Sequence, residues 1–134
     1  MSAIAAIQEL IKPLFPGLMG MRLMEVAPER VIASMEVRPD LCTVGNTLHG
    51  GALMAFADTL GGIATLVNLE GGARTTTIES KTNFLGAMLV GTHIIGECTP
   101  LHRGKTTMVW QTRVNSENGK LCAVVIQTQM VLPA

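Results

Sequence analysis

Charge is scarce in this 134-residue chain: 15% of its residues are charged, and ten basic side chains balance ten acidic ones. Charges so few and so balanced exclude the broad basic surface that nucleic acid or an anionic membrane requires, so no nucleic-acid and no membrane partner is expected. A polyanionic ligand would have to be held by a few well-placed cations. Cysteine is equally thin. Cys42, Cys98 and Cys122 are odd in number and distant in sequence, and the histidines at 49, 93 and 102 are scattered. They supply neither a disulfide framework nor a metal-ligand spacing, so no metal and no cofactor is expected, and the cysteines read as small buried apolar groups in a reducing cytoplasm.

The N-terminal stretch lacks a basic start and a long uninterrupted apolar run and carries Glu9 and Lys12, so no signal peptide is expected. Ala52 to Leu69 is apolar enough for a membrane span, but Asp58, Gly61 and Gly62 interrupt it, and a charge at bilayer depth is costly. A buried helix of a cytoplasmic protein fits better. Repeats, linkers and low-complexity tracts are missing too, and the length suits one domain over residues 1–134.

What is present is apolar: 48% of the residues, and with 15% charged the surface carries less charge than a free-standing monomer usually shows, which predicts burial between subunits. Ile4, Ile7, Leu10, Ile11 and Leu14 recur at helical spacing and predict a short lead helix over 2–14, ended by Pro13 and Pro16-Gly17. Met21 to Val37 changes to two strands, with Val31, Ala33, Met35 and Val37 on one face; Pro39 and Asp40 close this hairpin. A central helix over about 50–69 is apolar nearly all round, which predicts burial on every side until Glu70-Gly71-Gly72 stops it. Four strands follow, about 74–85, 91–102, 105–116 and 120–132, with Asn118-Gly119 the strongest local hairpin signal. The expected class is α+β, an antiparallel sheet wrapped around one long central helix. Such a sheet leaves edges that side-by-side dimerisation would cover.

Chemistry concentrates between Thr43 and Thr59. Gly50 and Gly51 open the central helix, where unpaired N–H groups at the positive dipole end form a cradle for a developing oxyanion. Two turns later Asp58 puts a carboxylate on an otherwise apolar helix, where burying a charge is expensive without a purpose. Either feature alone has a structural explanation, close packing for the glycines and a hydroxyl-capped carboxylate for Asp58. The pair, preceded by His49, is more specific.

The run HGGALMAFADT from His49 to Thr59 resembles the HGG-x5-AD/E signature of the hotdog-fold thioesterases, nearest to the PaaI-like acyl-CoA thioesterase group. The likeness extends from about Met19 to Val131 and includes TTTIESKTNFLGA and HRGKTTMVWQTRV. It implies a hotdog fold and hydrolysis of an acyl- or aryl-CoA thioester to free acid and CoA. It implies that the Gly50 N–H polarises the carbonyl, that Asp58 is general base or nucleophile, and that His49 braces the loop. It implies that Thr77 helps place water or substrate, and that Arg103 and Lys105 lie near the CoA phosphates. It implies a homodimer, assembling further to a homotetramer. The chain departs from the pattern at three places. Thr43 stands where many relatives carry Asn or Gln, leaving Asn46 as the nearest amide. Gly86-Ala87-Met88 replaces Arg-Pro-Ala, and Gly62 replaces a hydroxyl residue.

One rival is a hotdog protein that binds acyl-CoA without turning it over, as sensor or carrier. A pure binder has no reason to bury a carboxylate beside a thioester, which favours the enzyme. A hotdog dehydratase would need a different pairing of histidine with acid. The nine methionines read as adaptable core filler, with Met54 or Met88 lining an acyl channel as the sharper alternative.

Overall fold

The computed structural model describes residues 2–134. Its main strands are β1 (Arg22–Ala27), β2 (Arg30–Glu36), β5 (Arg74–Phe84), β6 (His93–Arg103), β7 (Thr107–Ser116) and β8 (Leu121–Leu132). They form one antiparallel sheet in the order β1-β2-β6-β7-β8-β5. The central helix α3 (Gly50–Leu66) touches β2, β5, β6, β7 and β8. A flat sheet spaced about 4.8 Å per strand could not bring five strands against a helix about 10 Å across, so the sheet curls around it. The expected α+β arrangement is therefore present.

Two glycines set how closely helix and sheet approach. A Cβ at Gly96 of β6 would lie 2.6 Å from Phe56 and 2.7 Å from Leu60, and one at Gly61 of α3 would lie 2.2 Å from Gln127. Trp110 of β7 is fully buried, and its indole N–H donates to Thr65 Oγ1 at 2.9 Å. Val31, Ala33, Met35 and Val37 are fully buried, as the alternation along β2 predicts.

Several boundaries differ from expectation. The lead helix α1 is Ala3–Ile11, shorter than 2–14, because Ser2 Oγ caps it and Pro13 cannot continue it. Pro16-Gly17 does not end that segment but lies inside a second short helix, α2 (Phe15–Met19), where proline suits the first turn. The β1–β2 hairpin closes at Pro28-Glu29, between paired Ala27 and Arg30. Pro39-Asp40 instead starts a 3-10 turn after β2. A two-stranded ribbon, β3 (Cys42–Thr43) and β4 (Thr47–Leu48), then leads into α3. That helix stops at Leu66 rather than about 69, because Asn68 Nδ2 donates to the Ala64 carbonyl at 2.8 Å and takes over the end of the helix.

The central helix is also not covered on every side. Met54 and Leu66 are exposed, and Asp58 and Gly62 between them are half-buried. These four residues, spaced by four, form one open stripe along α3. Edge strand β5 runs alongside, and a bulge at Ile78 switches its inward residues from Thr75 and Thr77 to Ser80 and Thr82. Among the described residues, no helix is long and apolar enough to cross a membrane.

Candidate active site

His49 follows β4 and caps α3. Its Nδ1 accepts from the Gly51 N–H at 2.8 Å, and its carbonyl accepts from Leu53 at 3.1 Å. The Gly51 N–H is therefore spent inside the protein, and Gly51 offers no free backbone donor to a substrate. The Gly50 N–H takes no partner among the described residues. Each glycine has a steric reason to be there. A Cβ at Gly51 would meet the His49 ring at 2.9 Å, and one at Gly50 would meet the Phe84 ring at 3.2 Å. Among the described residues, the Gly50 and Ala52 N–H groups are thus left open at the positive end of a 17-residue helix, Gly50 standing first.

Asp58 lies on the open stripe at the wall of a pocket of about 340 Å³, lined also by Gly62, Leu66, Thr75, Thr77 and Gln129. Thr77 Oγ1 donates to Asp58 Oδ1 at 2.6 Å. Gln127 Nε2 donates to the same oxygen at 3.2 Å and to the Asp58 carbonyl at 3.4 Å. Asp58 Oδ2 accepts no hydrogen bond among the described residues. Carboxylate and threonine are thus brought together, with the hydroxyl turned onto the carboxylate itself.

Other expected site residues lie apart. Asn46 is exposed in the β3–β4 turn, where Gly45 (φ 93°) and Asn46 (φ 59°) both adopt left-handed backbone. Asparagine tolerates that conformation better than most side chains, so turn geometry accounts for it. Arg103 sits beyond the far end of α3, donating to the Pro28 carbonyl at 3.3 Å and Asn68 Oδ1 at 3.5 Å. Lys105 is exposed beside it, lining a recess with Asn68, Glu70 and Gly104. The 17 residues of α3 span about 25 Å, which separates this basic pair from Gly50 of the same chain. Met54 lies on the open stripe one turn before Asp58, whereas Met88 is buried in the core.

Sequence reasoning missed Gln127 and Gln129, which are 1% exposed and face Asp58 and Thr77. The signal was available. Alternation along β8 from buried Ala123 and Val125 carries both glutamines onto the same inward face.

Comparison with known proteins places this geometry in context. The family model described as the thioesterase superfamily matches residues 45–123, from the β3–β4 turn into β8. The 1,4-dihydroxy-2-naphthoyl-CoA hydrolase of Escherichia coli K12 is 28% identical over 116 residues, covering 87% of this chain and 85% of that one. A crystal structure of a thioesterase from Haemophilus influenzae superposes with a TM-score of 0.93 at 25% identity, covering 99% of this chain and 92% of its own. The PaaI protein of the E. coli phenylacetic acid degradation operon has a TM-score of 0.88 at 18% identity, covering 98% and 92%, a likeness of fold.

Proposed function

This chain belongs to the thioesterase superfamily and is a hotdog-fold thioester hydrolase, and on that premise we propose that it converts acyl- or aryl-CoA thioesters to free acid and CoA, with Asp58 as general base or nucleophile. The observation that carries this reading is the state of the Asp58 carboxylate. One oxygen is held by two donors, and the other is unbonded at the wall of an open pocket. In the general-base route, Oδ2 takes a proton from water as the hydroxide attacks the thioester carbon. The charge developing on the carbonyl oxygen falls to the Gly50 N–H. The C–S bond then breaks and CoA leaves as a thiolate, which recovers a proton. In the nucleophilic route Oδ2 attacks the thioester carbon, the C–S bond breaks with CoA leaving as thiolate, and water opens the resulting mixed anhydride to give the free acid and the Asp58 carboxylate. A thiolate leaves readily, so the chemistry needs no metal.

Gly50 and Asp58 of one chain cannot serve the same carbonyl. Eight residues at about 1.5 Å each put them about 12 Å apart along α3. We therefore place the complete site across a homodimer, in which the start of one α3 lies beside the middle of its partner. The open stripe on α3 and the uncovered edge of β5 support this arrangement. Arg103 and Lys105 are assigned to the CoA phosphates. The E. coli relative named for an aromatic acyl-CoA supports including aryl thioesters as substrates.

The test is Asp58→Asn, assayed by thiol release from straight-chain and aryl CoA thioesters. It should lower kcat by a factor on the order of 10² or more while the protein melts as the wild type does. Normal turnover by a folded Asp58→Asn protein sinks the assignment.

A further inference from the structure

Two amides stand in the interior where β8 would otherwise continue an apolar face. Burying an amide without hydrogen bonds is costly, so the partners each one finds decide how it lies. Thr75 Oγ1 donates to Gln129 Oε1 at 2.9 Å, Gln129 Nε2 donates to Thr77 Oγ1 at 2.5 Å, and Thr77 Oγ1 donates to Asp58 Oδ1 at 2.6 Å. Thr75 Oγ1 also reaches the Met130 carbonyl at 2.9 Å, so the direction is set from the other end, where a carboxylate oxygen accepts the Thr77 proton and Thr77 in turn accepts from Gln129. With its lone pair engaged by Gln129, the Thr77 hydroxyl must give its proton to Asp58. Gln127 completes the set from the other side, donating to Asp58 Oδ1 and to the Asp58 carbonyl. Turning that amide over would set its oxygen against two acceptors. Its Oε1 instead takes no partner among the described residues, so the bonds to Asp58 alone decide how the amide lies.

Gly61 makes room for this contact. A Cβ there would lie 2.2 Å from Gln127 Cδ, 2.3 Å from Oε1 and 2.4 Å from Nε2. A glycine inside a helix is unfavourable against alanine. Here it lets an amide lie flat on the helix three residues after Asp58.

We infer that Gln127, Gln129 and Gly61 form a positioning array that draws Asp58 Oδ1 inward and leaves Oδ2 as the reacting oxygen. The inference rests on the reading of Asp58 as the catalytic carboxylate. The array acts by holding the carboxylate at one angle. Misplacing a reacting group by about 1 Å can cost on the order of 10²-fold in rate.

The experiment uses hexanoyl-CoA and benzoyl-CoA with thiol detection, on variants that melt as cooperatively as the wild type. Gln127→Met keeps the bulk of the side chain and loses the amide. It should lower kcat by about ten- to a hundred-fold while KM stays within about two-fold. Gly61→Ala should reproduce that loss by pushing the amide aside, and should cost nothing further once Gln127 is alanine. Gln129→Met reaches Asp58 only through Thr77, so it should show a smaller loss of the same kind and serves if Gln127→Met fails to fold. Wild-type kcat in these variants, or a rise in KM that matches the fall in kcat, overturns the array. Asp58→Asn assayed alongside separates the two ideas. If it turns over normally, the catalytic reading of Asp58 falls; if it is dead while the glutamine variants are fully active, only the array falls.

Discussion

Asp58 and Thr77 are joined by a 2.6 Å hydrogen bond across the gap between α3 and β5, and the proton in that bond belongs to the threonine. A hydrogen bond to a charged group contributes about 1.5–3 kcal/mol. Removing it should therefore be felt in turnover even though Thr77 need not touch the substrate. Thr77→Val keeps the shape and loses the hydroxyl, and should lower kcat by about ten-fold or more at 1.4 kcal/mol per decade. Thr77→Ser should restore most of it. Equal kcat values for Val and wild type, or no rescue by Ser, contradict the contact's role.

What the sequence displayed was whatever depends on local pattern. The glycine pair, the alternation of β2 and the Asn118-Gly119 turn are each fixed by neighbours in the chain, and each lies where its pattern puts it, whereas Asp58, expected buried, is half-buried on the open stripe. The glutamine array was hidden because it joins residues 69 apart, Asp58 and Gln127, through a gap that only a glycine opens. The open stripe was hidden for a related reason. An apolar helix reads as buried, but periodicity does not say whether this chain or another covers each face. Arg103 was legible as a cation, while its contacts to Pro28 and Asn68 depend on where the helix end meets a hairpin distant in sequence.

The indole of Trp110 has one route to satisfaction, Thr65 Oγ1, which itself donates to the Gly61 carbonyl at 2.8 Å. Thr65→Val keeps the volume but strands a buried N–H. Urea unfolding should show a loss of about 1–3 kcal/mol. An unchanged midpoint would mean that the indole finds another acceptor.

Burial pushes the Cys98 thiol up to about 12, against an ordinary value of 9.0. Above pH 9 the unfolded chain ionises this thiol while the folded chain still holds its proton, so stability falls as pH rises from 9 toward 12. Cys98→Ala should flatten that part of the stability–pH curve measured by urea midpoint. A curve as steep in Cys98→Ala as in wild type assigns the loss elsewhere.

Arg103 and Lys105 carry the proposed hold on CoA. Replacing both with glutamine should raise KM for a CoA thioester several-fold and leave kcat nearly unchanged, because phosphate contacts bind ground and transition states alike. The same acyl group on pantetheine, which lacks those phosphates, should show no change in KM. A parallel rise for both substrates points to damage of the turn rather than lost phosphate contacts.

The sharing of one site between two chains can be tested by mixing two inactive proteins. Asp58→Asn removes the carboxylate, and Gly50→Pro removes the N–H. The proline suits the backbone at that point, and its Cβ requires the Phe84 ring to shift by a few tenths of an ångström. It stands at the first position of α3, the N–H it removes has no partner among the described residues, and His49 before it already has an extended backbone (φ −61°, ψ 136°). Unfolded together and refolded at equal amounts, about half the dimers should contain one chain of each kind. In each mixed dimer one site pairs both defects, while the other pairs an intact Asp58 with an intact Gly50. About a quarter of wild-type activity should then return, from two proteins with almost none. If both groups acted within one chain, every site would stay defective, and mixing would restore nothing even with mixed dimers shown to be present. The helix geometry favours recovery, because about 12 Å along a rigid helix exceeds the roughly 7 Å that an N–H on a carbonyl oxygen and a carboxylate at its carbon can span.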